Sequence, residues 1–265
     1  MSDSPTPTID TNVPHSARVW NYWLGGKDNY PVDREFGEQL RAVMPEIVVI
    51  AREARAFLGR AVTYLAGEVG IRQFLDIGTG LPTADNTHEV AQRIAPDSRI
   101  VYVDNDSLVL LHARALLVGS PTGATAYIDA DVRQPDRILE LAAATLDFSQ
   151  PIALVMLGIM GNVADLDEAY GIVRTLVDAL PAGSYLVFKD GTYAAMGEER
   201  AKTVHALNET EKYPYRMRTP EEIARFLDGL ELVEPGFVST PLWRPDPSKP
   251  LPAAIDDLCA VARKA

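Results

Sequence analysis

The chain has 265 residues, a formal net charge of −12 and a pI of about 4.8. A surface field of this sign repels polyanions, so we do not expect a nucleic-acid partner. The start of the chain is polar, and no run approaches the ~20 apolar residues that span a bilayer, which predicts a cytoplasmic protein without a membrane partner.

The N-terminal part of the chain predicts helices. Between Ser16 and Tyr30, aromatic residues surround Gly25-Gly26, which indicates a short helix that ends in a turn. Pro45 then precedes a run at 46–68 in which apolar residues recur at every third or fourth position. This spacing predicts one long amphipathic helix.

From residue 72 onward, strand-like and helix-like segments alternate. The apolar runs are short and end in turn residues, which indicates a parallel sheet covered by helices on both faces. The predicted strands are 72–77, 99–104, 124–130, 151–157 and 183–189, and the predicted helices lie near 84–95, 106–118, 135–146, 165–180 and 198–212. The fold class is therefore α/β.

The C-terminal part adds a helix and two strands. The helix begins after Thr219, a good N-cap residue that Pro220 and Glu222 follow. A short strand is predicted at 230–233 and a last strand at 257–263. We divide the chain into three predicted parts, which are a disordered tail at 1–13, a helical cap at 14–70 and a ligand-binding domain at 71–265.

The segment from Phe74 to Gly80 predicts a strand that ends at a nucleotide. Its apolar run ends in Asp76, and Gly78 and Gly80 let the backbone turn tightly and approach a ligand. A dinucleotide fingerprint needs a third glycine three residues after Gly80, and that position is Thr83. The loop therefore favours a nucleoside without phosphates, of which S-adenosylmethionine (SAM) is the common one, over NAD or FAD.

Two further strand ends carry carboxylates. The strand at 99–104 ends in Asp104, where a βαβ unit places an acid beside a ribose. The strand at 124–130 leads to Asp131, which can accept a hydrogen bond from an adenine amine, and to Val132, which can pack on the base. Because ligands bind at the carboxyl ends of parallel strands, the acids are expected to converge on one ligand.

Longer motifs surround these strand ends in a fixed order. They are PHSARVWNYWLGGKDNY at 14–30, QFLDIGTGLPT at 73–83, LVEPG at 232–236 and WRP at 243–245. Together they resemble the bacterial S-adenosyl methyltransferase family, once described as a domain of unknown function, within the class I methyltransferases. The resemblance extends from about residue 14 to the end of the chain.

The resemblance implies a Rossmann-like fold with a seven-stranded, mostly parallel sheet, an antiparallel end and SAM as the cofactor. The implied contacts of the methionine part, the ribose and the adenine are, in that order, Asp76, Gly78, Thr79 and Gly80, then Asp104 and Asn105, then Asp131 and Val132. The residues implied to face the sulfonium close the fourth strand and are Met156, Leu157 and Gly158. The N-terminal residues implied to lie over the cofactor are Arg18, Tyr22, Gly26 and Asn29.

The acceptor side departs from the family. Its members usually carry a Leu-His pair after the fourth strand and a Ser-His pair after the fifth, where this chain has GIMGN at 158–162 and KDG at 189–191. A histidine general base is therefore not expected at either position. The remaining candidates for catalysis or for positioning an acceptor are Lys189, Asp190, His205 and His15.

The expected activity is methyl transfer from SAM to a small molecule of secondary metabolism, by a protein that can form a homodimer. Two alternatives stay open, namely an enzyme that transfers or cyclises the aminocarboxypropyl arm of SAM, and a SAM-binding sensor without turnover. The histidines are scattered, so no metal site is expected. Cys259, the single cysteine, lies in an apolar segment and is predicted to be a buried, unreactive thiol.

Aromatic residues fall into two groups near the expected ligand sites. The first group either packs the cap on the sheet or walls a ligand site, and it consists of Trp20, Tyr22, Trp23 and Tyr30. The second group is a candidate for the acceptor pocket and consists of Tyr193, Tyr213 and Tyr215.

Overall fold

The computed structural model describes residues 10–82, 85–106, 108–109, 111, 120–209 and 215–265. Its strands are β1 (Gln73–Ile77), β2 (Arg99–Asp104), β3 (Ala124–Asp129), β4 (Ala153–Leu157), β5 (Tyr185–Gly191), β6 (Glu231–Leu232), β7 (Val238–Ser239) and β8 (Asp257–Arg263). Its helices of five or more residues are α1 (Ser16–Trp23), α2 (Pro31–Val43), α3 (Ile47–Tyr64), α4 (Thr87–Ile94), α5 (Pro135–Ala142), α6 (Leu166–Asp178), α7 (Glu198–Glu209) and α8 (Pro220–Ala224), together with a π-helical turn at Leu65–Val69.

The strands form one mixed sheet in the order β3-β2-β1-β4-β5-β8-β6, and β7 also pairs with β8. Strands β1 to β5 are mutually parallel, whereas β8 runs antiparallel to β5. Each of these six strands lies within two residues of its predicted bounds. The α/β class and the antiparallel end of the sheet are confirmed.

The predicted count of seven strands is corrected to eight. One edge strand was expected beside the last strand, but two short strands, β6 and β7, both pair with β8. Between them the Val233 amide still donates to the Val261 carbonyl, after which Pro235 and Gly236 turn the chain. Pro235 has no amide hydrogen for a ladder and Gly236 has a φ of +90°, so the edge strand is interrupted.

The helices differ from the predictions in two places. Helix α2 was not expected; its N-terminus is capped by Asp33, which accepts the Tyr30 amide at 2.8 Å. The single helix expected at 46–68 ends as an α-helix at Tyr64 and continues as the π-helical turn up to Gly70. Most of the helix expected near 106–118 lies outside the described residues.

Side chains alternate between the two faces of the sheet, as the pleat requires. Phe74 and Ile100 pack with α3 and α4 on one face, in a core that includes Trp243. Their neighbours Leu75 and Val101 pack with α5 and α6 on the other face. Both faces are therefore covered, and the carboxyl ends of β1 to β5 are left to form the floor of a site.

A third apolar cluster joins the N-terminal helices to α7. It contains Val19 and Trp23 of α1, Leu40 of α2, Ile50 of α3 and Val204 of α7. Because α3 also contributes to the core on the sheet, it connects the cap to the sheet, and the division at residue 70 stays a prediction. None of the described helices has both the length and the apolar character needed to cross a membrane.

Candidate active site

A cleft with about 1340 Å³ of empty space, part of it continuous with solvent, lies at the carboxyl ends of β1 to β4 and under α1. The predicted cofactor residues in its walls are Asp76, Gly78, Thr79, Gly80, Asp104, Asn105, Asp131, Val132, Leu157 and Gly158. The fold thus brings together segments that are far apart along the chain.

Asp76, at the end of β1, is a buried carboxylate that stays mostly ionised at neutral pH. Burial raises its pKa to about 6, against the opposing effects of the Thr87 hydroxyl, which donates to Asp76 at 2.6 Å, and of the Arg55 guanidinium. Arg55 lies in the cleft wall and also donates to Asn86 at 3.0 Å. This corner of the cleft therefore contains a carboxylate next to a guanidinium.

The loop after β1 depends on two glycines with positive φ, +75° at Gly78 and +66° at Gly80. A Cβ on Gly78 would lie 2.7 Å from the Ile159 side chain, so the loop packs tightly there. A Cβ on Gly80 would meet no protein atom within 4 Å, although Gly80 lines the cleft. The space in front of Gly80 is therefore room for a ligand.

Asp104, at the end of β2, organises the same loop. Its two carboxylate oxygens accept the amides of Gly80, at 2.9 Å, and of Asp106, at 3.0 Å. Burial raises the pKa of Asp104, and these hydrogen bonds oppose the rise. His15 lies above this strand end, with Nδ1 3.0 Å from Asp106. The carboxylate is held in place and retains lone pairs for a hydroxyl donor.

Hydrogen-bond acceptor atoms also lie near the end of β3. Asp131 accepts the Arg133 amide at 2.9 Å and lies 3.5 Å from the Asn105 side-chain nitrogen. Val132 lies beside it in the cleft wall. Asn162 Oδ1 is buried and accepts no hydrogen bond from the described residues, although Asn162 also lines the cleft. The exocyclic amine of an adenine would satisfy such an oxygen.

Three of the predicted cofactor residues have other surroundings. Met156 is fully buried in the core, and the next residues, Leu157 and Gly158, line the cleft instead. Arg18 is buried with its Nε 3.3 Å from Asp33, and Tyr22 donates to Glu38 at 2.7 Å. Arg18 and Tyr22 therefore fix α1 and the chain before it.

Gly26 and Asn29 affect the cleft indirectly, because both lie against Asn21. Asn29 donates to Asn21 Oδ1 at 2.9 Å, and a Cβ on Gly26 would lie 2.3 Å from the Asn21 amide nitrogen. Asn21 itself lines the cleft. The glycine and the asparagine of this motif thus hold a third residue at the ligand space.

A second cavity, with about 830 Å³ of empty space, adjoins the cleft; we call it the chamber. It lies between α1, α2, α3, α7 and the ends of β5 and β8, and His15, Ser16, Trp20 and Tyr215 line both cavities. Its apolar lining residues are Val19, Trp20, Trp23, Phe36, Leu40, Met44, Ile47, Ile50, Val204 and Met217.

The end of β5 carries two buried charges with separate partners. Lys189 Nζ is 2.7 Å from Asp257 and 5.1 Å from the centre of the Trp20 ring, and it lines the chamber. Asp190 is 2.9 Å from Arg218, and both are buried behind the chamber wall. Lys189 and Asp190 therefore form two buried ion pairs with other residues.

The histidine candidates are separated by the fold. His15 lines both cavities, whereas His205 lines a surface depression beside Tyr193 and Lys202. His88 packs edge-on against Tyr102. His112, Tyr213 and Thr83 lie outside the described residues. Within the described part of the chain, no three His, Cys, Asp or Glu side chains are grouped as a metal site.

Sequence reasoning missed three residues of the site. Arg55 lies on a helix, where an arginine normally indicates a solvated face, and Asn162 ends a short 3-10 helix after β4. Asp257 opens β8, and only the pairing of β5 with β8 brings it to Lys189. The pair Asp256-Asp257 directly before an apolar strand was the one available signal.

The cleft suits a nucleoside that carries positive charge and no phosphate. Hydroxyl and amine donors find acceptors at Asp104, Asp131 and Asn162 Oδ1, and the carboxylates would repel a pyrophosphate. The open space at Gly80 accommodates the ligand close to the backbone. These features fit SAM.

The sheet, its antiparallel end and the cleft define the chain as a class I, SAM-dependent methyltransferase. A family model described as S-adenosyl methyltransferase matches residues 2–265. The chain therefore belongs to the S-adenosyl methyltransferase family, and SAM is its cofactor. A comparison with curated proteins gives no match.

Solved structures agree with this assignment. A DUF574-family protein of Streptomyces avermitilis MA-4680 is 45% identical, with a TM-score of 0.92 over 97% of this chain and 100% of that one. A candidate methyltransferase of Thermobifida fusca YX is 40% identical, with a TM-score of 0.87 over 99% of each chain. The plantazolicin methyltransferase BpumL, solved with S-adenosylhomocysteine, shares the fold at 12% identity, with a TM-score of 0.53 over 94% of this chain and 95% of that one.

Proposed function

We propose that this enzyme methylates a small, largely apolar acceptor bound in the chamber, with secondary metabolism as the setting. The observation that carries the proposal is the shared wall of the two cavities. His15, Trp20 and Tyr215 line both the cleft and the chamber. An acceptor in the chamber would therefore lie next to a cofactor in the cleft.

The cleft residues are assigned to the cofactor by their chemistry. Asp76 and the glycine loop would hold the methionine part, Asp104 would accept the ribose hydroxyls, and Asp131 with Asn162 would accept the adenine amine. The ionised carboxylates also favour a ligand with a sulfonium and an ammonium group. His15 and Trp20 then close the cleft from the side of α1.

When bound, SAM supplies a methyl group already activated by the positive sulfur. The chain's own residues need only orient the acceptor and exclude water. The apolar chamber walls do both, and about 830 Å³ is within the range of small-molecule pockets. A large negative net charge argues against a nucleic-acid acceptor.

Product analysis tests this function. Purified protein is titrated with SAM by calorimetry and then incubated with SAM and a panel of apolar hydroxy, carboxy and amino compounds. The proposal predicts micromolar SAM binding and S-adenosylhomocysteine release that depends on one class of acceptor. Methylthioadenosine as the product would indicate transfer of the aminocarboxypropyl arm, and binding without any product would indicate a sensor.

The homodimer stays a separate prediction. Light scattering at several protein concentrations measures the mass directly. A mass near twice 29.0 kDa would support it, and a monomer would leave the proposed activity untouched.

A further inference from the structure

Two polar side-chain atoms stand where the cleft and the chamber meet. A Cβ placed on Gly158, in the cleft wall, would lie 3.5 Å from Lys189 Nζ and 3.6 Å from Tyr215 Oη. Lys189 lines the chamber, and Tyr215 lines both cavities. The glycine therefore leaves these two atoms next to the junction between the cavities.

Lys189 is held in a fixed position at this junction. Its Nζ is 2.7 Å from Asp257 Oδ1, while Asp257 Oδ2 accepts the Thr240 hydroxyl at 2.7 Å. The face of Trp20 covers the ammonium on another side. Lys189 and Asp257 are almost fully buried, so neither is a mobile surface charge. An ammonium carries three hydrogens, and Asp257 occupies one direction.

Tyr215 cannot take a proton from an acceptor. Burial, followed by the nearby charge of Asp190, raises its pKa far above the ordinary range, so it stays a neutral phenol. Its hydroxyl donates to Asp190 and accepts the Gly191 amide. Tyr215 thus shapes the junction, and Lys189 is the hydrogen-bond donor that an acceptor would meet.

We propose that the acceptor is an apolar molecule with an ionisable oxygen, a phenol or a carboxylic acid, and that the ammonium of Lys189 binds this oxygen at the junction. The inference rests on the proposed function and names its substrate class. Lys189 would then be a catalytic residue, because it touches the reacting atom.

The donor at the junction discriminates between nucleophiles. An oxygen has at least two lone pairs, so one can accept a hydrogen bond from Lys189 while another attacks the methyl carbon. A neutral amine nitrogen has a single lone pair, which the reaction itself uses. A protonated amine has none and is repelled by the ammonium. The geometry at Gly158 therefore favours oxygen over nitrogen.

The residues present can accept the proton that phenol methylation releases. The O–H bond breaks and its proton passes to the Asp257 carboxylate, whose pKa burial raises to about 6. The new O–CH₃ bond forms as the S–CH₃ bond breaks, with its electron pair left on sulfur. The products are a methyl ether, S-adenosylhomocysteine and one proton, which Asp257 later releases to water. A carboxylic acid is already ionised at neutral pH and gives a methyl ester without this proton transfer.

The other titratable groups that face the chamber are Asp256 and His15. Asp256 accepts the Ala195 amide at 2.9 Å, and burial raises its pKa. His15 Nδ1 is 3.0 Å from Asp106. Both groups are unchanged in all of the variants below.

The test uses two matched fluorescent probes, 4-methylumbelliferone and 7-amino-4-methylcoumarin, which differ only in a hydroxyl or an amino group. Titration of the bound phenol between pH 5 and 9 reports its ionisation on the protein. Next to Lys189 we expect a pKa lowered by about one unit, which is a roughly tenfold higher ratio of phenolate to phenol at a given pH. We also expect S-adenosylhomocysteine release with the phenol or with 1-naphthoic acid, and none with the amine.

The variant that isolates Lys189 is the double change Lys189→Met with Asp257→Asn, because removing one partner alone would leave a buried charge. It should abolish the lowered pKa of the phenol probe. The control is Arg263→Met with Glu231→Gln, which removes an ion pair at the far end of β8, where this strand pairs with the start of β5, and should leave the probe's pKa unchanged. Circular dichroism confirms that each variant is folded.

Three results would overturn the inference. The first is a lowered pKa of the phenol probe that persists in the double variant Lys189→Met with Asp257→Asn. The second is an unshifted pKa of the probe on the native enzyme. The third is methylation of the amine probe in preference to the matched phenol. The probe pair needs no variant, so the inference can fail even if the double variant does not fold. Methylation of amines alone would leave the proposed function standing, whereas the absence of any methylated product would remove both.

Discussion

The cleft and the chamber of this enzyme are built in different ways. The cleft is lined by short polar segments that follow the parallel strands of the sheet, and its key atoms are carboxylates and turn amides. The chamber is lined by apolar side chains from α1, α2, α3 and α7, with the buried ammonium of Lys189 in its wall. The first site depends on local sequence, and the second depends on how distant helices pack.

On the proposed function, this difference should let the binding of SAM and the binding of the acceptor be changed independently. Changes at the strand ends should affect SAM binding, and changes in the helices around the chamber should affect the acceptor. Each variant below tests this separation. It would fail if a change at the strand ends altered acceptor binding, or if a change around the chamber altered SAM binding.

The largest effect is expected for Asp104→Asn. An amide keeps one acceptor but turns an NH₂ group toward the loop amide or a ribose hydroxyl, and lost hydrogen bonds to a charged group amount to about 2 to 3 kcal/mol. The SAM dissociation constant should rise roughly 30- to 150-fold in calorimetry. Asp129→Asn is the matched control, because Asp129 pairs with Asp104 across β2 and β3 but is exposed. Equal losses in both variants would contradict a ribose role for Asp104.

Gly80→Ala should weaken SAM binding by about tenfold. The new methyl group would occupy the open space at the loop, where overpacking costs about 1 to 3 kcal/mol. Gly70→Ala is the control, since Gly70 has a φ of +88° and no atom within 4 Å of a Cβ, but lies outside the cleft. The free energy of unfolding should fall by about 1 to 2 kcal/mol in both variants. SAM binding should change in Gly80→Ala alone.

Val204 offers a change confined to the chamber. This residue of α7 is buried in the chamber wall, so Val204→Phe should raise the KM of an acceptor several-fold, while Val204→Ala should admit bulkier acceptors. Calorimetry should find the same SAM affinity in both variants. A lost SAM affinity in Val204→Phe would show that the two sites are coupled through their shared wall.

The sequence predicts the cleft better than the chamber for a physical reason. Strand ends such as Asp76 and Asp104 follow buried apolar runs directly, so their positions are set by the local chain. Phe36 of the unpredicted α2 and Asp257 of β8 reach the chamber only through tertiary packing. The spacing of residues along the chain does not indicate which helix faces which strand, so the candidate Lys189 was found without its partner Asp257.

The affinity for SAM should depend on pH through the protonation of Asp76. With a pKa of about 6, its carboxylate is ionised at pH 7 and becomes protonated as the pH falls. A cationic cofactor prefers the ionised form, so affinity should fall by up to about tenfold per pH unit below pH 6. Asp76→Asn should bind SAM more weakly at pH 7 and lose this dependence. A flat profile for the native enzyme between pH 7 and 5 would argue against contact with the cofactor.

The same carboxylate has the opposite effect on the ligand-free protein. Because the folded pKa lies above the unfolded value of about 4, the folded state binds more protons between pH 4 and 6, and stability from this group falls as the pH rises. Asp76→Asn should therefore be more stable than the native protein at pH 7, by at most about 3 kcal/mol. Urea unfolding at pH 7 and pH 4.5 checks that this gain shrinks on acidification.

The smallest effect is expected for labelling of the Cys259 thiol, which tests whether the chamber extends as far as this residue. Cys259 pairs with Lys189 in the sheet and lies two residues beyond Asp257, but it is fully buried in the core with Trp243. Burial also raises the pKa of its thiol, so little thiolate forms. Ellman's reagent should label Cys259 in urea and leave it unlabelled in the native enzyme. Native labelling that an apolar acceptor slows would mean that the chamber opens past Lys189 and Asp257 toward the core.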